Sequence, residues 1–257
     1  MKVSRILTIA AVAAFGLSTA ACSSSSSDSA STAQSSTTIT VGAASSLTDV
    51  FIAIGDSFTQ ANPDIEVRFS FAASSAIAEQ ITQGAPLDVF ASAGTSSMQP
   101  LADGGHVEGV TAFATNSLQI ATPPGNPAGI TGLGDLPKVK VVVCEEQVPC
   151  GVASQKLFEA NSLTISPVSL EPDVRSVLAK VEADEADAGI VYVTDVQAAG
   201  GAVVGISIPA EQNVTSTYQG AVVRESPNAD AAARFVAYLT SPEAQAALAA
   251  AGFAPAS

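Results

Sequence analysis

Two short stretches of the chain, Ala44-Ser45-Ser46 and Ala73-Ser74-Ser75, have the residues of a neutral anion clamp. Each follows an apolar run of strand type and opens a helical pattern. A helix N-terminus presents backbone N–H groups that lack an intrahelical partner, together with the positive end of the helix dipole. A serine hydroxyl beside those amides adds one more donor. Serine at a helix start is equally an ordinary N-cap, so each stretch has two readings when taken alone. Two such stretches at the carboxyl ends of adjacent parallel strands would face the crevice where open α/β sheets bind ligands.

Other chemistry finds less support. A serine hydrolase needs a nucleophile elbow and a histidine base. The chain has no G-x-S-x-G, and its one histidine, His106, lies in the Gly-rich turn Asp103-Gly104-Gly105-His106 with no evident partner. No enzymatic activity and no cofactor are expected. Cys144 and Cys150 form a close pair. Two thiols with a distant histidine make a poor metal site, whereas in an oxidising compartment they join as a disulfide. Closing so short a loop contributes about 2 kcal/mol in the chain-entropy account.

The elements that must position these residues alternate. Residues 38–43 read as a β-branched strand, and 46–61 as a helix with Leu47, Val50, Phe51, Ile54 and Phe58 on one stripe, ended by Asn62-Pro63. Ile65, Val67, Phe69 and Phe71 alternate as a second strand. A helix over 74–83 stops at Gly84, and 87–92 is a third strand. The cycle resumes with strands at 117–122 and 138–144, a helix from Cys150, and a short strand near 168–170. A helix over 173–182 and strands at 188–193 and 218–223 follow, then two helices over 228–239 and 242–251. Strands separated by helices predict an α/β fold with a mostly parallel sheet covered on both faces. Two such units with a returning C-terminal segment suggest two lobes joined by crossover strands, for which 117–122 and 218–223 are the candidates.

Ahead of the domain, residues 1–21 have the layout of an export signal: Lys2 and Arg5, an apolar run to Leu17, then small residues. That run is too short to span a bilayer. The residues directly before Cys22 resemble a bacterial lipobox, with Thr19 where that pattern usually has Leu, so Cys22 is expected to carry lipid. Residues 22–37, nearly all Ser, Thr and Ala, read as a flexible tether. The signal holds two of the ten basic residues and no acidic ones, leaving eight Lys and Arg against 24 Asp and Glu. That balance argues against nucleic acid and against adsorption to anionic lipid.

Ala43-Ala44-Ser45-Ser46-Leu47-Thr48 resembles the opening motif of the periplasmic molybdate-binding proteins of ABC transporters. So does Ser70-Phe71-Ala72-Ala73-Ser74-Ser75 followed by Gly84-Ala85-Pro86-Leu87-Asp88-Val89-Phe90. Asn116-Ser117-Leu118, Val148-Pro149-Cys150-Gly151, Asp173-Val174-Arg175 and Gly189-Ile190-Val191-Tyr192 follow in that family's order and close to its spacing, so the resemblance runs from about Ile39 to Phe253. It implies a two-lobed periplasmic-binding-protein fold of type II, with residues 38–117 plus 219–257 as lobe 1 and 118–218 as lobe 2. It implies an oxyanion, molybdate or tungstate, held by the hydroxyls of Ser46, Ser74 and Tyr192 and by the backbone amides of Cys150 and Val174, with no direct bond to the metal. Cys150 departs from the family, which usually has Ala there. The implied partners are an ABC permease and its ATPase, reached by a monomer tethered to the cell membrane on its outer side. Sulfate or phosphate is the alternative ligand. Phosphate carries a proton near neutral pH and would need a carboxylate acceptor, for which Asp173 and Asp195 are the nearest candidates.

Overall fold

The computed structural model describes residues 36–256. The expected export signal, Cys22 and nearly all of the tether fall outside them.

The first strand, β1 (Thr37–Ala44), starts at the last residue expected for the tether. It lies parallel to β2 (Ile65–Ala72) on one side and β3 (Val89–Ala93) on the other. The connecting helices are α1 (Thr48–Ala61), entered through a 3-10 turn at Ser45–Leu47, and α2 (Ser74–Thr82). The stripe foreseen on α1 is buried, and the Phe51 ring meets those of Phe69, Phe113 and Phe235 at 5.9–6.1 Å.

Two elements were not foreseen here. Helix α3 (Thr95–Asp103) falls where the sequence assigns no element, and it buries only Ser97, Met98 and Leu101 around an internal Pro100. Strand β4 (Val107–Thr122) begins ten residues before the expected 117 because its first part is polar and half-exposed, with register breaks near Gly109 and Ala112. Those irregularities hide its period in sequence.

β4 runs through both parts of the molecule. Its first two-thirds pairs antiparallel with β9 (Thr215–Val223), and its end lies between β7 (Ala188–Tyr192) and β8 (Val204–Ser207). β5 (Val141–Cys144) pairs parallel with β6 (Ser169–Glu171) and β7. The order is β2-β1-β3-β9-β4-β7-β5-β6, with β8 on β4. The sheet is therefore mixed: parallel within each part and antiparallel where β4 and β9 join them. Helices α4 (Pro149–Ala160), α5 (Val174–Glu182) and α6 (Val193–Ala199) accompany the later strands, while α7 (Ala229–Tyr238) and α8 (Pro242–Ala250) return to the first.

The apolar interior follows this division. One cluster gathers Ile39, Val41, Phe51 and Phe235; a second, on the opposite face of the same strands, holds Ile77, Phe90, Met98 and Leu101. A third is built from residues between Leu118 and Ile208, with Ala73 reaching into it from the first part. Successive residues of a strand point to opposite faces, which is why β3 is buried at all five positions yet contributes to two clusters.

Candidate functional site

Four helical segments begin at one place. Ser45 and Ser46 open the turn into α1, Ser74 opens α2, Cys150 is the second residue of α4, and Val174 opens α5. Parallel strands β1, β2 and β5 and the short β6 each deliver the chain to the same edge, so the N-termini converge there. Ser46, Ser74, Cys150, Val174 and Tyr192 all line one pocket. All five residues are buried, none more than 4% exposed. The space between them is about 10 Å³, room for one water-sized group.

Neither serine is an N-cap. The cap positions are Ala44 and Ala73, and neither supplies a side-chain hydrogen bond; nor does Val148 ahead of α4. Three N-termini thus meet at the pocket with no side-chain cap on their first amides, groups that require a partner when buried. α5 differs. Asp173 caps it, accepting from the amides of Arg175 and Ser176 at 2.8 and 3.1 Å. Those bonds use the second and third amides of α5 and leave the first, that of Val174.

The hydroxyls are set in distinct ways. Ser74 Oγ accepts the Ala93 amide at 3.0 Å. A backbone N–H can only donate, so the Ser74 proton is left for another acceptor. Ser46 Oγ stands 2.8 Å from the Tyr218 hydroxyl. Tyr192 closes β7 with its hydroxyl buried and without a well-formed hydrogen bond among the described residues, the Ser216 and Tyr218 side chains lying beside it. Burial also raises its pKa well above the usual tyrosine value, so it faces the pocket as a neutral donor.

Cys144 and Cys150 are joined, with Cα atoms 5.7 Å apart. The bridge ties the end of β5 to the first turn of α4. Gly151 is required beside it: a Cβ there would stand 1.8 Å from the Glu145 carbonyl oxygen. The loop before α4 therefore folds tightly against the helix start and fixes where the Cys150 amide lies.

Beside the pocket is a charged group formed by Arg175, Asp49 and Asp195. Arg175 Nη2 bonds Asp49 Oδ2 on α1 at 2.6 Å, and its Nε pairs with Asp195 Oδ1 at 3.2 Å. Asp195 is fully buried and accepts the Tyr192 amide at 3.0 Å. Burial raises its pKa to about 6, against the lowering effects of Arg175 and of that amide. Of the two carboxylates considered as proton acceptors for a ligand, Asp195 does not line the pocket. Asp173 does, with its oxygens engaged by the α5 amides and the Ser176 hydroxyl. The side-chain polar groups at the pocket are therefore mainly donors.

Residues 39–254 match the family model described as bacterial extracellular solute-binding protein. The chain belongs to that family. It is 41% identical over 219 residues to the molybdate-binding protein ModA of Mycobacterium tuberculosis, a match covering 84% of each chain. Among solved structures it is similar to the periplasmic molybdate-binding protein of Azotobacter vinelandii, with a TM-score of 0.73 at 21% identity over 85% of this chain and all of that one. The sulfate-binding protein SubI of Mycobacterium tuberculosis gives 0.76 at 21% identity, over 85% and 87%. These two likenesses show the fold, a mixed sheet flanked by helices as in periplasmic binding proteins.

Proposed function

We propose that this protein captures a tetrahedral oxyanion, molybdate or tungstate, outside the cytoplasm and delivers it to an ABC transporter. The observation that carries the reading is the meeting of four helix N-termini at one buried pocket, three of them without a side-chain cap. Ser46, Ser74 and Tyr192 supply hydroxyls, and Cys150 and Val174 supply amides. Neutral dipoles that converge in this way hold a dianion without a balancing cation, which reconciles an anionic ligand with an acidic chain. Relatives named for molybdate, including the 41% identical ModA, support the choice of ion.

The pocket is narrower than such an ion, so binding requires its walls to part. We assign the moving parts as residues 38–117 plus 219–257 and residues 118–218, a division supported by separate apolar clusters on either side of β4 and β9. Lipidation of Cys22 would keep the domain at the membrane. Cys22→Ala is then expected in the soluble extracytoplasmic fraction; its retention on membranes would refute the anchor.

Sulfate is the second reading. It is an acceptor-only dianion like molybdate, and the fold is shared with a sulfate-binding protein. Calorimetric titration of the delipidated domain with molybdate, tungstate, sulfate and phosphate separates these. Molybdate and tungstate are expected to bind at micromolar affinity or tighter, about −8 kcal/mol or more favourable, and sulfate and phosphate far more weakly. Sulfate binding equal to or tighter than molybdate would overturn the assignment.

A further inference from the structure

Tyr218 is fully buried yet does not line the pocket. It lies on β9, and its ring is held edge-on by Tyr192, Phe253 and Phe113 at centroid distances of 6.0, 5.2 and 6.3 Å. Its hydroxyl meets Ser46 Oγ at 2.8 Å and Asn116 Nδ2 at 3.5 Å. Asn116, on β4, reaches in turn to Thr194 Oγ1 at 2.9 Å.

The orientation of the Asn116 amide follows from one backbone group. The Ser117 amide lies 3.0 Å from the side-chain oxygen of Asn116, and an amide N–H can only donate. That contact fixes which end of the Asn116 amide is oxygen, so the end facing Thr194 and Tyr218 is the NH2 donor. The Tyr218 oxygen therefore accepts from Asn116, which leaves its single proton available to Ser46 Oγ at 2.8 Å. With that proton on Ser46 Oγ, the serine keeps its own proton to give elsewhere.

We infer that Tyr218 is a positioning residue for anion capture, orienting the Ser46 hydroxyl as a donor into the pocket through a buried Asn116–Tyr218–Ser46 relay. This rests on the reading of Ser46 as an oxyanion donor. It makes the two serines equivalent: Ser74 is set by the Ala93 amide, and Ser46 by a phenol that is itself set by Asn116. The relay sits on the two strands that join the parts of the molecule, with Thr194 beyond them at the start of α6. Without the Tyr218 hydroxyl, Ser46 is free to turn its proton away from the ligand.

A double-mutant cycle tests this with molybdate as the titrated ion. Ser46→Ala and Tyr218→Phe are each expected to weaken binding about tenfold or more, the effect of losing one donor to a charged partner. The double variant is expected to bind no more weakly than Ser46→Ala alone, because the phenol acts only through that hydroxyl. Paired with Ser74→Ala, the Tyr218→Phe loss is expected to multiply in full, which a general loosening of the pocket would not distinguish from the Ser46 pair. Should Tyr218→Phe not fold, Asn116→Ala removes the N–H that sets the direction and enters the same cycle. Parent-like binding by Tyr218→Phe, or losses that multiply with Ser46→Ala, would overturn the relay while leaving the oxyanion site intact. Parent-like binding by Ser46→Ala would overturn both.

Discussion

At the scale of single residues, the site separates groups that face the ligand from groups that hold them. Asp195 belongs to the second kind. It is buried beneath Tyr192, holds that residue's amide and pairs with Arg175. Its pKa of about 6 in the fold lies above the ordinary 3.8 because burial penalises the carboxylate more than Arg175 and the amide favour it. A carboxyl whose pKa rises on folding favours the native state most when protonated. Its contribution is complete below about pH 4 and is lost as pH rises to about 6. Asp195→Asn keeps an acceptor for the Tyr192 amide and cannot ionise. Relative to the parent, this variant is therefore expected to gain stability as pH rises from 4 to 6, by about 2 kcal/mol. Denaturant unfolding of both proteins across that range measures the difference; a constant difference would mean that Asp195 does not change charge there.

The elements explain why much of this arrangement was legible in the sequence. Each ligand residue of the proposed site stands at a boundary between a strand and a helix, and such boundaries carry strong local signals: the stripe on α1, the Gly84 stop after α2, Pro149 at the start of α4 and Asp173 ahead of α5. What could not be read was whether Ser46 and Ser74 cap their helices. That depends on backbone geometry one or two residues earlier, where Ala44 and Ala73 occupy the cap positions without a side-chain bond. Helix α3 escaped because it buries few apolar side chains and contains Pro100, and the first half of β4 because its register breaks erase the two-residue period. The Asn116–Tyr218–Ser46 contacts join residues up to 172 apart in sequence, and the Asp49–Arg175 pair spans 126. No periodicity within one element points to partners at that distance. The motif Asp173-Val174-Arg175 located Arg175 but not the two carboxylates it bridges.

For the molecule as a whole, the formal charge of −14 and the proposed dianionic ligand oppose each other. They act at different ranges. The amides and hydroxyls of the pocket work at contact distance, where salt screens little, while the surface carboxylates act through solvent over about 30 Å at 0.01 M salt and about 8 Å at 0.15 M. The long-range field therefore governs approach, and the local donors govern escape. Repulsion between like charges slows association most at low salt, so the association rate constant for molybdate is expected to rise several-fold between 0.01 and 0.15 M salt, with the dissociation rate nearly unchanged. Affinity should then improve with salt, opposite to the usual behaviour of a site built from Lys and Arg. The chain has no Trp and three Tyr, of which Tyr192 lines the pocket and Tyr218 packs on it, so stopped-flow tyrosine fluorescence can follow binding directly. An association rate that falls with salt would show that the positive ends of the converging helices, together with Arg175, dominate the approach. The acidic surface would then have no part in the kinetics of capture.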